Sequence, residues 1–294
     1  MSNKEKNNLI IVTYDFTEQA DCATNHASYL AKITSGDVAL VHIINKESKS
    51  KFGKNVNSVQ TEIENKLNEI CTKNFQNTGV KTFSIVRPGS IFSTIAEITS
   101  ETKAKLVVLG THGVKGMQHL LGAFALKVVT SSPAPVVIVQ SKKVDKDGYN
   151  PIILSIDESV ETKQKVNQAL EFAKTHKAEV HIFSKYEKDE YLQIKVKGNS
   201  NYVKNELISE GVKVVEANEP SDSKSFSNAV IRYSANVKAG LIVITTKKEK
   251  EISDMFIGDE DVKIINNDSQ IPVLCVNASN YNIMGSVIAF GGFN

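Results

Sequence analysis

"LIIVTYDFTEQA", residues 9 to 20, decides the fold of this chain because it has a counterpart farther on. "PIILSIDESVET" begins at residue 151, and both are apolar runs ending in an acid, Asp15 and Asp157, 142 residues apart. The same spacing separates "GDVALVHI" at residue 36 from "AEVHIFSK" at residue 178. "AKLVVLG" (104 to 110) is answered by "AGLIVIT" (239 to 245), and "PVVIVQ" (135 to 140) by "PVLCVN" (272 to 277). Order and character are kept, with a small deletion before the third pair. A solenoid would show many short periods, whereas one long period means two copies of one domain. The expected layout is a first domain over 1–142, a polar linker over 143–150, a second domain over 151–277 and a tail over 278–294.

Each copy alternates strand and helix. In the first, strands are expected near 9–14, 37–44, 80–86, 105–110 and 135–140. A helix over 56–78 follows from Val59, Ile63, Leu67, Cys71 and Phe75, an i, i+4 stripe. Gly89 in "RPGS" supplies a turn before a further helix at 91–101. The strands are continuous Val, Ile and Leu runs, as in a sheet covered on both faces. The fold class is therefore α/β: two tandem five-stranded parallel-sheet domains with helices on both faces. With strand order 3-2-1-4-5, the winding reverses between the first and fourth strands, where such sheets bind ligands. Asp15 closes the first of those strands and Gly110 the fourth.

Composition excludes several classes. The 41% hydrophobic and 23% charged fractions are those of a globular protein. A net charge of +2 gives no general attraction to nucleic acid or to an acidic membrane. The start "MSNKEKNN" carries no apolar targeting core, and no apolar run approaches the ~18 residues of a membrane span. Cys22, Cys71 and Cys275 fit no metal spacing and read as free thiols of a reducing cytoplasm.

Between the fourth strand and the next helix lies "GTHGVKGMQHLLGAF", residues 110 to 124. Together with "TYDFTEQA" and "VHII", it resembles the universal stress protein family across the whole chain, as two tandem domains. The resemblance implies an α/β fold that binds an adenine nucleotide, ATP with Mg²⁺, or none. The family's ATP-binding members carry Gly-x-x-Gly, nine residues, then Gly followed by Ser or Thr. Carried over, Gly110 and Gly113 are the first pair and Gly122 is the closing glycine. Asp15 matches the acid beside the adenosine, and Thr13 and Ile43 match its neighbours at the adenine. The resemblance also implies that the two domains pair through their fifth strands about a pseudo-twofold axis.

Two departures stand out. Eight residues, not nine, separate Gly113 from Gly122, and Ala123 stands where a hydroxyl is expected. Main-chain N–H groups of Gly110, Gly113 and the helix start would still face an anion. The lost hydroxyl removes a hydrogen bond of roughly 1.5–3 kcal/mol to a charged acceptor. His112, Lys115 or His119 could compensate, and the expected affinity is below that of a complete motif. In the second copy "TTKK" (245 to 248) replaces "GTHG", and Asp259, Glu260 and Asp261 would repel a phosphate. That site is read as lost.

Plainer readings stand beside these. Asp15 and Asp157 suit helix capping, each with a hydroxyl two residues behind it. His42 and His181 lie within strands and read as structural, and His112 and His119 lack the partners of a metal site. No P-loop, nucleophile elbow or Ser/His/Asp set is present, so no catalytic residue is assigned and no enzyme is expected. Three functions follow: a nucleotide-dependent regulatory module of the stress response, a nucleotide-independent interaction protein, and, least supported, a slow ATPase. The expected partners are an adenine nucleotide and the other half of the chain, with a homodimer left open and neither nucleic acid nor membrane. The apolar tail "SVIAF" is expected to dock on a surface that the sequence does not name.

Overall fold

The computed structural model describes residues 8–45, 56–111, 120–220, 223–246 and 259–277. The first repeat gives strands β1 (Ile10–Thr13), β2 (Val38–Ile44), β3 (Thr82–Pro88), β4 (Leu106–Gly110) and β5 (Val136–Val139). Helices α1 (Glu18–Thr34), α2 (Val56–Thr78), α3 (Ile91–Thr102) and α4 (Leu120–Ser131) alternate with them. The second repeat supplies β6 (Ile152–Ile156), β7 (Val180–Ser184), β8 (Val214–Asn218), β9 (Leu241–Thr246) and β10 (Val273–Asn277). Its helices are α5 (Val166–His176), α6 (Glu190–Ser209), α7 (Phe226–Asn236) and α8 (Asp259–Ile265).

All ten strands form one sheet in the order β3-β2-β1-β4-β5-β10-β9-β6-β7-β8. Each half has the expected 3-2-1-4-5 winding and is parallel throughout. The halves meet where β5 and β10 run antiparallel, with Val137 opposite Leu274. That pairing closes what would otherwise be two exposed sheet edges.

Strand side chains alternate between two apolar layers. Ile10, Val12, Leu40, Val108, Leu154 and Val243 face α1, α2, α5 and α6. Ile11, Val41, Val107, Ile138, Ile242 and Val273 face α3, α4, α7 and α8. Each layer runs through both halves, so the sheet has two continuous cores rather than four separate ones.

The expected helix is present and ends at Thr78 as expected, and Val59, Ile63, Leu67 and Cys71 are buried. Phe75 is a correction: it is 53% exposed. At about 100° per residue, each i+4 step overshoots a turn by about 40°, so the fifth member points nearly opposite the first. Gly89 does turn the chain into α3, with φ at 156°, and a Cβ there would lie 2.3 Å from the Thr94 hydroxyl. The capping expectation is corrected: Thr17 and Ser159, two places after Asp15 and Asp157, take the N-cap positions in place of the acids.

Candidate functional site: the β1–β4 crevice

The ends of β1 and β4 lie side by side, with Thr13 opposite Leu109, at the point where the strand order reverses. Thr13 is two residues beyond Ile11, so it projects from the face that also carries Ile43 and Leu109. These three lie on one face of the sheet at the carboxyl ends of β1, β2 and β4. Leu109 is the member that motif reasoning passes over. Its register opposite Thr13 and the strand's alternation are the signals that would have found it.

Beyond Thr13 the chain turns through Phe16, whose φ of 65° lies in the left-handed region. Three interactions fix this turn. His42 donates from Nδ1 to the Tyr14 carbonyl oxygen at 2.6 Å. The Phe16 ring lies 5.3 Å from the His42 ring. The Tyr14 hydroxyl donates to Asp21, and burial followed by that carboxylate holds the phenol well above its ordinary range. His42 is thus structural, as is His181, which bonds Tyr233 and Glu179.

Asp15 is exposed and sits ahead of the cap. Its Oδ1 accepts from the Thr17 amide at 3.1 Å and the Thr17 hydroxyl at 2.5 Å. Thr17 is the N-cap of α1, accepting from the Ala20 amide at 3.3 Å. The carboxylate therefore orients the capping hydroxyl while remaining exposed at the end of β1.

Gly110 follows Leu109 and turns its bare side to the opposite face, towards α1. A Cβ there would lie 2.4 Å from the Gln19 carbonyl oxygen, well inside any tolerable contact. The absence of a side chain thus lets the first turn of α1 pack on the end of β4. Thr111 is buried, and its amide donates to the Val139 carbonyl oxygen. His112, Gly113, Lys115 and His119 lie outside the described residues. The described part of α4 begins at Leu120.

The second repeat keeps the turn and changes its surroundings. Asp157 Oδ1 accepts from the Ser159 amide and hydroxyl at 3.1 and 2.6 Å, as Asp15 does from Thr17. Thr245 stands in Gly110's place, and its hydroxyl donates at 3.4 Å to the Glu161 carbonyl oxygen, the counterpart of Gln19. The chain there begins as a 3₁₀ turn over Val160–Lys163, and regular helix starts only at Val166. A side chain where glycine had allowed contact accounts for that displacement. Lys185 stands in Ile43's place and ion-pairs with Glu158 at 3.2 Å and with Glu187. Burial opposes its charge, yet the two carboxylates win and raise its pKa. The buried Lys165 ammonium donates to Ser155, the counterpart of Thr13, at 3.2 Å.

At the start of α7, Glu260 accepts from the Ser227 amide at 2.8 Å and also binds Ser225 and Lys263. Partial burial works against its charge, but these donors hold its pKa down at about 2. Among the described residues, no three His, Cys, Asp or Glu side chains are grouped to hold a metal ion. No helix among them is long and apolar enough to cross a membrane.

The model of the universal stress protein family matches residues 7–140, the first repeat. Universal stress protein Sll1654 of Synechocystis is 26% identical over 132 residues, which cover 44% of this chain and 83% of that protein. Among solved structures, a universal stress protein from Archaeoglobus fulgidus superposes with a TM-score of 0.74 at 16% identity, over 93% of this chain and 99% of that one. A functionally unknown protein from Pseudomonas aeruginosa gives 0.60 at 14% identity, over 95% of each chain. Both likenesses concern the fold, and they extend it across the two repeats.

Proposed function

Through its first repeat this chain belongs to the universal stress protein family, and from that premise we propose that the β1–β4 crevice binds an adenine nucleotide. Thr13 and Ile43 would contact the base, and Asp15 the ribose. Gly110, His112, Gly113, Gly122 and Ala123 would line the phosphates, with ATP carrying its own Mg²⁺. The observation that supports this most directly is the adjacency of Thr13 and Leu109 at the reversal of strand order. The second repeat is a structural partner. Ion pairs at Lys185 and the ammonium at Ser155 stand where the first repeat leaves an apolar and hydroxyl floor. Function then follows by linkage: a ligand that binds only the folded crevice stabilises it and biases any surface coupled to its loops.

Thermal melting with and without millimolar ATP–Mg²⁺ tests this reading. Nucleotide at 100 times its Kd adds about 2.7 kcal/mol, which raises the midpoint by several degrees. Gly113→Val should abolish the rise while leaving the ligand-free midpoint in place. No rise and no heat in calorimetry would overturn the proposal. The shortened loop and Ala123 favour one other reading, a nucleotide-independent interaction protein, and that reading would then stand.

A further inference from the structure

The outer face of α6 exposes Tyr191, Ile194 and Tyr202, but nothing in the structure shows what covers that stripe. A second feature carries an argument further. Where the two repeats meet on the α1 side, two histidines from opposite repeats enter one aromatic cluster. His26 of α1 is fully buried. Its Nε2 lies 2.8 Å from the Lys142 carbonyl oxygen, which can only accept, so the proton resides there. Nδ1 then accepts from the Tyr149 hydroxyl at 2.7 Å. The neutral imidazole satisfies both neighbours, and a second proton would turn Nδ1 against a hydroxyl already donating to it.

His176 ends α5. Its ring stacks on Tyr29 at 5.5 Å and on Phe172 at 5.8 Å, with Tyr149 edge-on at 5.0 Å. Nδ1 faces the Tyr29 hydroxyl at 3.3 Å, and Nε2 is buried without a hydrogen bond. His176 also lines a cavity of about 20 Å³ shared by Ile10, Leu30 and Leu106 of the first repeat and Glu171 and Phe172 of the second. The titratable groups around the two rings come from three elements. They are Cys22 and Tyr29 of α1, Lys142, Lys143 and Tyr149 of the connecting segment, and Glu171 of α5. β1 and β4 contribute only Ile10 and Leu106. Among the described residues no carboxylate bonds either imidazole, and the Lys142 ammonium adds like charge at His26.

We propose that this cluster is an acid-released latch: protonation of His26 and His176 frees α1 and α5 from each other while the β5–β10 pairing holds. Burial keeps both imidazoles at about 4, against an ordinary 6.5. A folded-state value below the unfolded one means that the latch contributes fully above pH 6.5. The contribution is lost as pH falls from 6.5 through 4. A release of this kind is a sub-global opening, which leaves the rest of the sheet in place.

Amide hydrogen exchange of the nucleotide-free protein at pH 7.5 and 5.0, corrected for intrinsic rates, tests the latch. Peptides from α1, residues 142–149 and α5 should lose protection at pH 5.0, while α3 and α7 on the opposite face keep theirs. His176→Phe retains the ring stack and removes one titrating group. It should reduce the pH-dependent loss at α5 and lower proton uptake on unfolding near pH 5 by about one per molecule. Equal protection at both pH values, loss spread evenly over both faces, or unchanged proton uptake in His176→Phe would overturn it. No nucleotide enters the experiment, so its outcome is independent of the crevice reading.

Discussion

Gly110 separates two roles that a glycine in a phosphate loop is easily credited with together. The sequence places it in a ligand motif, and nothing local reveals that its missing side chain faces the Gln19 carbonyl oxygen. That contact is long-range, so it becomes visible only once α1 is packed on β4. The second repeat is a natural comparison, since Thr245 at this position coincides with a 3₁₀ turn in place of the first turn of α1. Gly110→Ala should therefore destabilise the protein by about 1–3 kcal/mol, the usual range for overpacking, with or without nucleotide. Urea unfolding measures this directly. A loss below about 0.5 kcal/mol would mean that α1 shifts freely and that Gly110 is retained for the ligand alone. Asp15 teaches a similar lesson. An acid behind a strand was legible as part of a cap, but the relay through Thr17 needed the positive φ at Phe16, which no composition rule foretells.

Helices differ in how much of them a pattern can disclose. α2 was legible because four buried residues recur on one face, while the exposure of Phe75 follows from the same periodicity carried too far. α8 was read as an acidic helix start hostile to phosphate, and the structure gives its Glu260 a positive task. That carboxylate binds the Ser227 amide and so caps a neighbouring helix, α7. With a folded value of about 2 against an ordinary 4.5, its contribution is full above pH 4.5 and is lost as pH falls towards 2. The side chain is half exposed, so water screens part of the effect. Glu260→Gln should cost about 1 kcal/mol at pH 7 and speed exchange of the Ser227 amide. An unchanged amide rate would show that α7 is capped by Ser225 alone.

At the scale of the whole molecule, duplication and strand order were legible because both rest on repeated apolar runs. The His26–Tyr149–His176 cluster was not, since Tyr149 lies in the linker and the two histidines come from opposite repeats and meet only across the junction. Together with the β5–β10 pairing, that cluster bears on how the chain unfolds. Two domains joined by a linker alone would melt separately, each exposing about half the surface. Here both apolar layers cross the junction, and Leu274 is fully buried opposite Val137. The chain should therefore unfold in urea as one transition at pH 7.5, with coincident circular dichroism and tyrosine fluorescence. Because m scales with the surface exposed, its value should be about twice that of a domain half the size. Leu274→Asp places a charge in the shared layer and should lower cooperativity, splitting the transition or flattening it. Two resolved transitions in the unaltered chain would contradict the shared core. Cooperativity also determines how far a ligand in the first repeat can act. In a single transition, nucleotide bound at β1 and β4 must stabilise β6 to β10 by the same free energy, because neither half unfolds without the other.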